Sequence, residues 1–210
     1  MKFNKSLMVL LLSVAPLTAN AGVIFSFEES AGDIKVTSSG SIDTNLLVAQ
    51  GSVSGWGGAG FGNFGNYAMM GDTTNGSVDM SFGFSAGTDF SDWHIASGAF
   101  TGINFGPDSN NTTTSFATYL SPSPYLPGLS VINSDLVAGI WTADVDWTFS
   151  GESFASLGLS TGTYTVSDAN TGEYLTFQIG EPLPVPEPFS AGLIALGLAG
   201  LGWSRRAKKQ

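Results

Sequence analysis

Between Gly22 and Gly180 apolar side chains return at every second position, and stretches of helical spacing are hard to find. Val23-Ile24-Phe25-Ser26-Phe27 opens this region. Val78, Met80, Phe82 and Phe84 then alternate with Asp79, Ser81 and Gly83, and Val145, Trp147 and Phe149 alternate with Asp144, Asp146 and Thr148. A pleated strand sends successive side chains to opposite faces, so a period of two marks a strand with one dry and one wet face. Further on, GTYTVSDANTGEYLTFQIG reads as a hairpin. Thr163 to Ser167 and Glu173 to Ile179 are its arms and Asp168 to Gly172 its turn, with Tyr164, Val166, Leu175, Phe177 and Ile179 expected in the core. Many short strands separated by Gly and Asn turns predict an all-β domain, a sandwich or a barrel-like body.

The amino end breaks this rhythm. Lys2 and Lys5 form a positive start, Leu7 to Val14 a short apolar run, and Pro16 ends that run. Ala19-Asn20-Ala21 then supplies small residues at a cleavage position before Gly22. The apolar run is too short for the roughly 30 Å of a bilayer interior. Residues 1–21 are therefore expected to be a signal peptide, cut between Ala21 and Gly22, and the protein to be exported.

The charges divide sharply between the ends and the body. Of seven basic residues only Lys35 lies between residues 22 and 181, against sixteen of the seventeen acids. A body of about −15 repels phosphate and anionic lipid, which argues against nucleic-acid binding. Cations, neutral glycans and cationic polymers remain as partners. The chain is 42% hydrophobic, so its few charges do not signal disorder. Some 160 residues suffice for one sizeable core. There is no Cys, and the fold dispenses with disulfides although an exported protein may form them.

Residues 182–210 form a third region. Pro184, Pro186 and Pro188 stiffen the backbone ahead of Phe189 to Trp203, which is apolar or small apart from Ser190. Arg205, Arg206, Lys208 and Lys209 follow, with 204–210 as a basic tail. As a helix, residues 189–203 span about 22 Å, a single but undersized transmembrane segment. The basic cluster sets its orientation, with the body outside the cytoplasm and the tail within. No polar face marks this stretch as part of a soluble core. VPEP at Val185 to Pro188, the glycine-rich helix and RRAKK at Arg205 to Lys209 together resemble the PEP-CTERM protein-sorting domain. The resemblance implies recognition of Pro186, Glu187 and Pro188 by an exosortase, a membrane-embedded cysteine transpeptidase. It implies that the tail is held in the inner membrane and then removed, leaving the body at the surface or in the extracellular matrix of a Gram-negative bacterium. LPVPE at Leu183 to Glu187 departs from the Leu-Pro-x-Thr-Gly signal of Gram-positive sortases at the Thr and the Gly. In the body, SSGSID at Ser38 to Asp43, SFASLGLSTGTYTV at Ser153 to Val166 and LTFQIG at Leu175 to Gly180 resemble an ectodomain type that recurs with this tail. That type carries no known activity.

The body offers little chemistry. His94 is the sole histidine, without the base and elbow that nucleophilic catalysis requires, and one His with no Cys does not make a zinc site. Glu28, Glu152 and Glu173 provide carboxylates for a glycosidase, but no spacing singles out a pair. Asp168, Asn170 and Glu173 place oxygens at calcium-loop spacing, yet the later bidentate Glu is missing and Asp and Asn also suit a plain turn. The pairs Asp144/Asp146 and Asp89/Asp92 read as solvated faces. Gly51 to Asp72 interleaves glycines with rings and reads as a long connection or very short strands; Trp56, Phe61, Phe64 and Tyr67 are its candidates for a carbohydrate platform. Tails of this type also occur on ice-binding proteins, but Thr112-Thr113-Thr114 is a lone cluster and no solenoid repeat is visible.

These features lead to an exported, non-enzymatic surface protein without a cofactor, structural or adhesive in an exopolysaccharide matrix. Its expected partners are the exosortase, an envelope polymer and, through the tail, the membrane. A permanently anchored protein is the alternative, with a polysaccharide hydrolase or an ice-binding protein further behind.

Overall fold

The alternating stretches are strands. A computed structural model describes residues 21–51, 54–94, 98–119 and 127–180. Residues 1–20 of the expected signal peptide, and Glu181 with the whole sorting region 182–210, lie outside the described residues. In chain order the strands are β1 (Gly22–Ser30), β2 (Asp33–Asp43), β3 (Val48–Gln50), β4 (Ala59–Phe64), β5 (Tyr67–Asp72), β6 (Met80–Gly83) and β7 (Ile103–Phe105). They continue as β8 (Ser109–Asn110), β9 (Phe116–Tyr119), β10 (Gly128–Val131), β11 (Ile140–Thr142), β12 (Asp146–Ser150), β13 (Gly162–Ser167) and β14 (Tyr174–Ile179). Among the described residues no helix is long and apolar enough to cross a membrane.

The strands form two seven-stranded sheets. One runs β13-β14-β1-β2-β12-β8, with β11 also on β2; the other runs β3-β6-β10-β9-β5-β4-β7. Both sheets stay open, so the barrel-like alternative is corrected in favour of two facing layers. All pairings are antiparallel except that of β1 with β14. That parallel pair joins the first strand to the last, with Val23 opposite Leu175 and Phe25 opposite Phe177.

Register decides what each sheet buries. Val23, Phe25 and Phe27 of β1, Ile34 and Val36 of β2, and Trp147 and Phe149 of β12 turn inward. All five core candidates of the final hairpin are buried. From the other sheet Phe116 stacks on Phe25, with ring centroids 5.3 Å apart, and Phe61 meets Phe27 edge-on at 5.3 Å. Aromatic pairs at these separations contribute beyond their area burial, so rings clasp the two layers together.

Three tight turns depend on left-handed backbone. Ala31-Gly32 joins β1 to β2, Gly65-Asn66 joins β4 to β5, and Ala138-Gly139 reverses the chain before β11; every one of these residues has positive φ. Two consecutive such residues match the right-handed twist of a hairpin. Ala at the first position carries a steric cost that Gly or Asn would avoid.

One expectation failed in an informative way. Ser81 of β6 was expected on a wet face, but it is 1% exposed. Ser81, Ser130, Ala117, Gly71 and Gly60 lie in register across the outer face of the second sheet. Residues 54–58 pass over that row on the way from β3, at one edge, to β4 near the other. The Ser54 N–H donates to Ser130 Oγ at 3.2 Å, and Trp56 lies over Gly71. A Cβ on Gly71 would come within 2.9 Å of the Trp56 ring. Small residues on the strands thus make room for a glycine-rich strap.

Candidate functional site

The sorting residues Pro186, Glu187, Pro188, Arg205, Arg206, Lys208 and Lys209 lie outside the described residues, as does Ala19. Ala21 and Gly22 are described. Gly22 is the first residue of β1, opposite Tyr174, and the Tyr174 N–H donates to the Ala21 carbonyl at 3.4 Å. The expected cleavage position therefore falls at the first residue of β1.

The turn at Asp168 is built by its own side chain. Its Oδ1 accepts the N–H groups of Asn170 and Thr171, both at 2.9 Å, and the Thr171 hydroxyl at 3.0 Å. Ser85 donates its backbone N–H and its hydroxyl to the same carboxylate, tying the hairpin to the chain just after β6. Burial pushes the Asp168 pKa up, but the N–H donors of Ser85, Thr171 and Asn170 outweigh it and hold the carboxyl below its ordinary value. Asn170 is exposed, and Glu173 Oε2 accepts the Asp43 N–H at 2.9 Å instead of turning to Asp168's donors. Among the described residues no three of His, Cys, Asp and Glu group as metal ligands. Of the oxygens at calcium-loop spacing, those of Asp168 close the turn and that of Glu173 receives the Asp43 N–H.

Other carboxylates are engaged in the same way. Asp72 is fully buried and accepts from Thr74 N–H (2.9 Å), Thr74 Oγ1 (2.6 Å), Asn110 Nδ2 (2.8 Å) and Trp147 Nε1 (3.0 Å). Sequence reasoning passed over it, although an Asp directly before Thr-Thr-Asn at a strand end is a turn signal. Asp144, read as solvated, is half-buried and takes the N–H and hydroxyl groups of both Thr113 and Thr114. Burial raises its pKa, and those four donors lower it further than burial lifts it. The Thr112-Thr113-Thr114 cluster is thereby committed to the protein itself: Thr112 Oγ1 accepts the Asp146 N–H at 3.3 Å. Of the other pair, Asp89 is exposed and caps the Ser91 N–H at 2.8 Å, while Asp92 accepts the Thr165 N–H at 3.1 Å.

Two of the carboxylates weighed for glycoside hydrolysis, Glu28 and Glu173, are far apart. Glu28 stands near the carboxyl end of β1 and Glu173 beside its amino end, on the order of 20 Å away at strand rise. Retaining and inverting pairs need about 5 to 9.5 Å. Glu152 accepts the Ser156 hydroxyl at 2.5 Å. His94 packs edge-on against Tyr67 at 5.4 Å and bridges to it through the backbone.

The four rings of the glycine-rich stretch separate. Phe61 is wholly buried in the core, and Tyr67 sits with His94. Trp56 and Phe64 instead meet Phe105, at 5.5 and 6.0 Å, on the outer edge of the second sheet. Phe105 is 46% exposed. It borders an open groove of about 360 Å³ lined also by Gly57, Gly58, Thr74, Pro107 and Asn110.

The PEP-CTERM protein-sorting motif matches residues 184–206 of the chain. That span includes Pro186, Glu187 and Pro188, the apolar run, and Arg205 and Arg206. That motif indicates an exported surface protein targeted to an exosortase in Gram-negative bacteria, and here it follows a two-sheet body. No curated protein and no solved structure matches it.

Proposed function

We propose that the body is a structural or adhesive component of an exopolysaccharide-rich surface layer, carried there by a tail that is removed on arrival. The sorting motif at residues 184–206 is the observation that carries this reading. The body is compatible with a passive role, because the buried Asp72, Asp168 and Glu173 all direct their oxygens at N–H donors of the fold. We further assign polymer contact to the edge formed by Trp56, Phe64 and Phe105, where an exposed ring faces a groove and the acidic surface tolerates a neutral glycan.

The test uses protein recovered from the producing cell. It should co-sediment with that cell's exopolysaccharide, and Phe105→Ala should weaken this at least about fivefold, since a stacked ring contributes on the order of 1 kcal/mol. No co-sedimentation with or without calcium would remove the adhesive reading. Mass spectrometry should find mature protein ending before Arg205; a species retaining residues 205–210 would establish permanent anchoring instead.

A further inference from the structure

Glu173 is 3% exposed and lies where the mature chain is expected to begin. Its carboxylate accepts the Asp43 N–H at 2.9 Å and also the Ala21 N–H. Between residues 22 and 181 the only Lys or Arg is Lys35, which is 3.9 Å from Asp146. Among the described residues, the charged groups that act on Glu173 are Asp43 and Asp168, both negative. Burial first, then those two charges, raises its pKa, and the two N–H donors offset only part of this. In the uncut chain this is an acid held in the wrong company.

The missing countercharge is one residue away. Ala21, whose N–H already reaches Glu173, precedes Gly22 by a single chain step of about 3.8 Å between Cα atoms. Pairing with Tyr174 of β14 holds Gly22 in place, and its neighbour Val23 also pairs with Gly40 of β2. We propose that Glu173 receives the amino terminus created at Gly22. A membrane signal peptidase hydrolyses the Ala21–Gly22 amide: water supplies the hydroxyl that leaves with Ala21 as a carboxylate, and Gly22 takes up protons as an α-ammonium. That ammonium replaces the Ala21 N–H as the donor to Glu173 and neutralises it. Leader removal then completes the fold electrostatically, and the uncut chain is the less stable form. This inference is independent of the polysaccharide reading.

The experiment compares the exported, processed protein with full-length chain purified in detergent. Ala19→Phe keeps the leader attached in the latter by removing a small residue the peptidase requires. Processed protein should begin at Gly22, and its α-amine should be acylated at pH 7 at least tenfold more slowly than in a free Gly-Val-Ile peptide. Glu173→Gln should restore most of that reactivity. It should also lower the urea midpoint of the processed form while leaving the leader-bearing form unchanged or more stable. An amino terminus other than Gly22, peptide-like acylation in the unsubstituted protein, or equal midpoint shifts in the two forms would each overturn the proposal. If Glu173→Gln prevents folding of both forms, the acylation rate of the unsubstituted protein decides.

Discussion

Removing the Asp72 carboxylate would strand the buried indole N–H of Trp147 and take a partner from the half-buried amide of Asn110. Each buried donor left unsatisfied costs about 1–3 kcal/mol, so Asp72→Ala should destabilise by about 3 kcal/mol in urea unfolding followed by tryptophan fluorescence. The titrating carboxylates act in opposite directions. Asp168 and Asp144 have folded pKa values depressed below the ordinary 3.8, so their stabilisation is present above that pH and is lost as pH falls through the depressed values. Glu173 in the leader-bearing chain has a folded value raised above 4.5. It therefore opposes folding at neutral pH and is relieved as pH falls through its raised value towards 4.5. Thermal melts of the Ala19→Phe chain should show stability rising on mild acidification and then falling below about pH 3.8, while Glu173→Gln should abolish the rise. Ala31 occupies left-handed backbone, with φ of 55°. Ala31→Asn should accordingly gain about 0.5–1 kcal/mol in the same unfolding measurement.

At the scale of elements, the strap from Ser54 to Gly58 and the strand pair β4–β5 explain why the glycine-rich stretch has no stable period. Its glycines serve two purposes, passage of a crossing chain and close packing of strands, and its rings divide between the faces of one sheet. Phe61 and Phe64 are three residues apart and so point to opposite faces. Phe61→Ala should cost about 3–5 kcal/mol as a core cavity, and Phe64→Ala less than half of that, by chemical denaturation. Gly71→Val should displace Trp56 and cost about 1–3 kcal/mol, visible as a red shift of tryptophan emission before global unfolding. Alternation made Trp147, Phe149 and the final hairpin legible from the chain alone, because a period of two is a local rule. It misled at Ser81, because the segment that dries that residue comes from some thirty residues earlier.

For the whole molecule, the parallel pairing of β1 with β14 means that the body cannot finish folding until residues 174–179 are available. Among the described residues its core comprises residues from Val23 to Ile179. A chain stopped after Glu181 should melt within about 2 °C of the processed protein in calorimetry, whereas one stopped after Ser167 should show no cooperative transition. The sequence by itself determined the all-β class, the turn at Asp168 and the sorting motif, since each is written in neighbouring residues: a repeat of two, an Asp-Ala-Asn-Thr-Gly run, a Pro-Glu-Pro before an apolar stretch. Tertiary structure alone decided the strand partners, the clasp of Phe25 on Phe116, the burial of Ser81 and Asp72, and the placing of Glu173 beside Gly22. Those outcomes depend on residues as many as 152 positions apart, and no local periodicity encodes which distant strand will supply the covering surface or the missing charge.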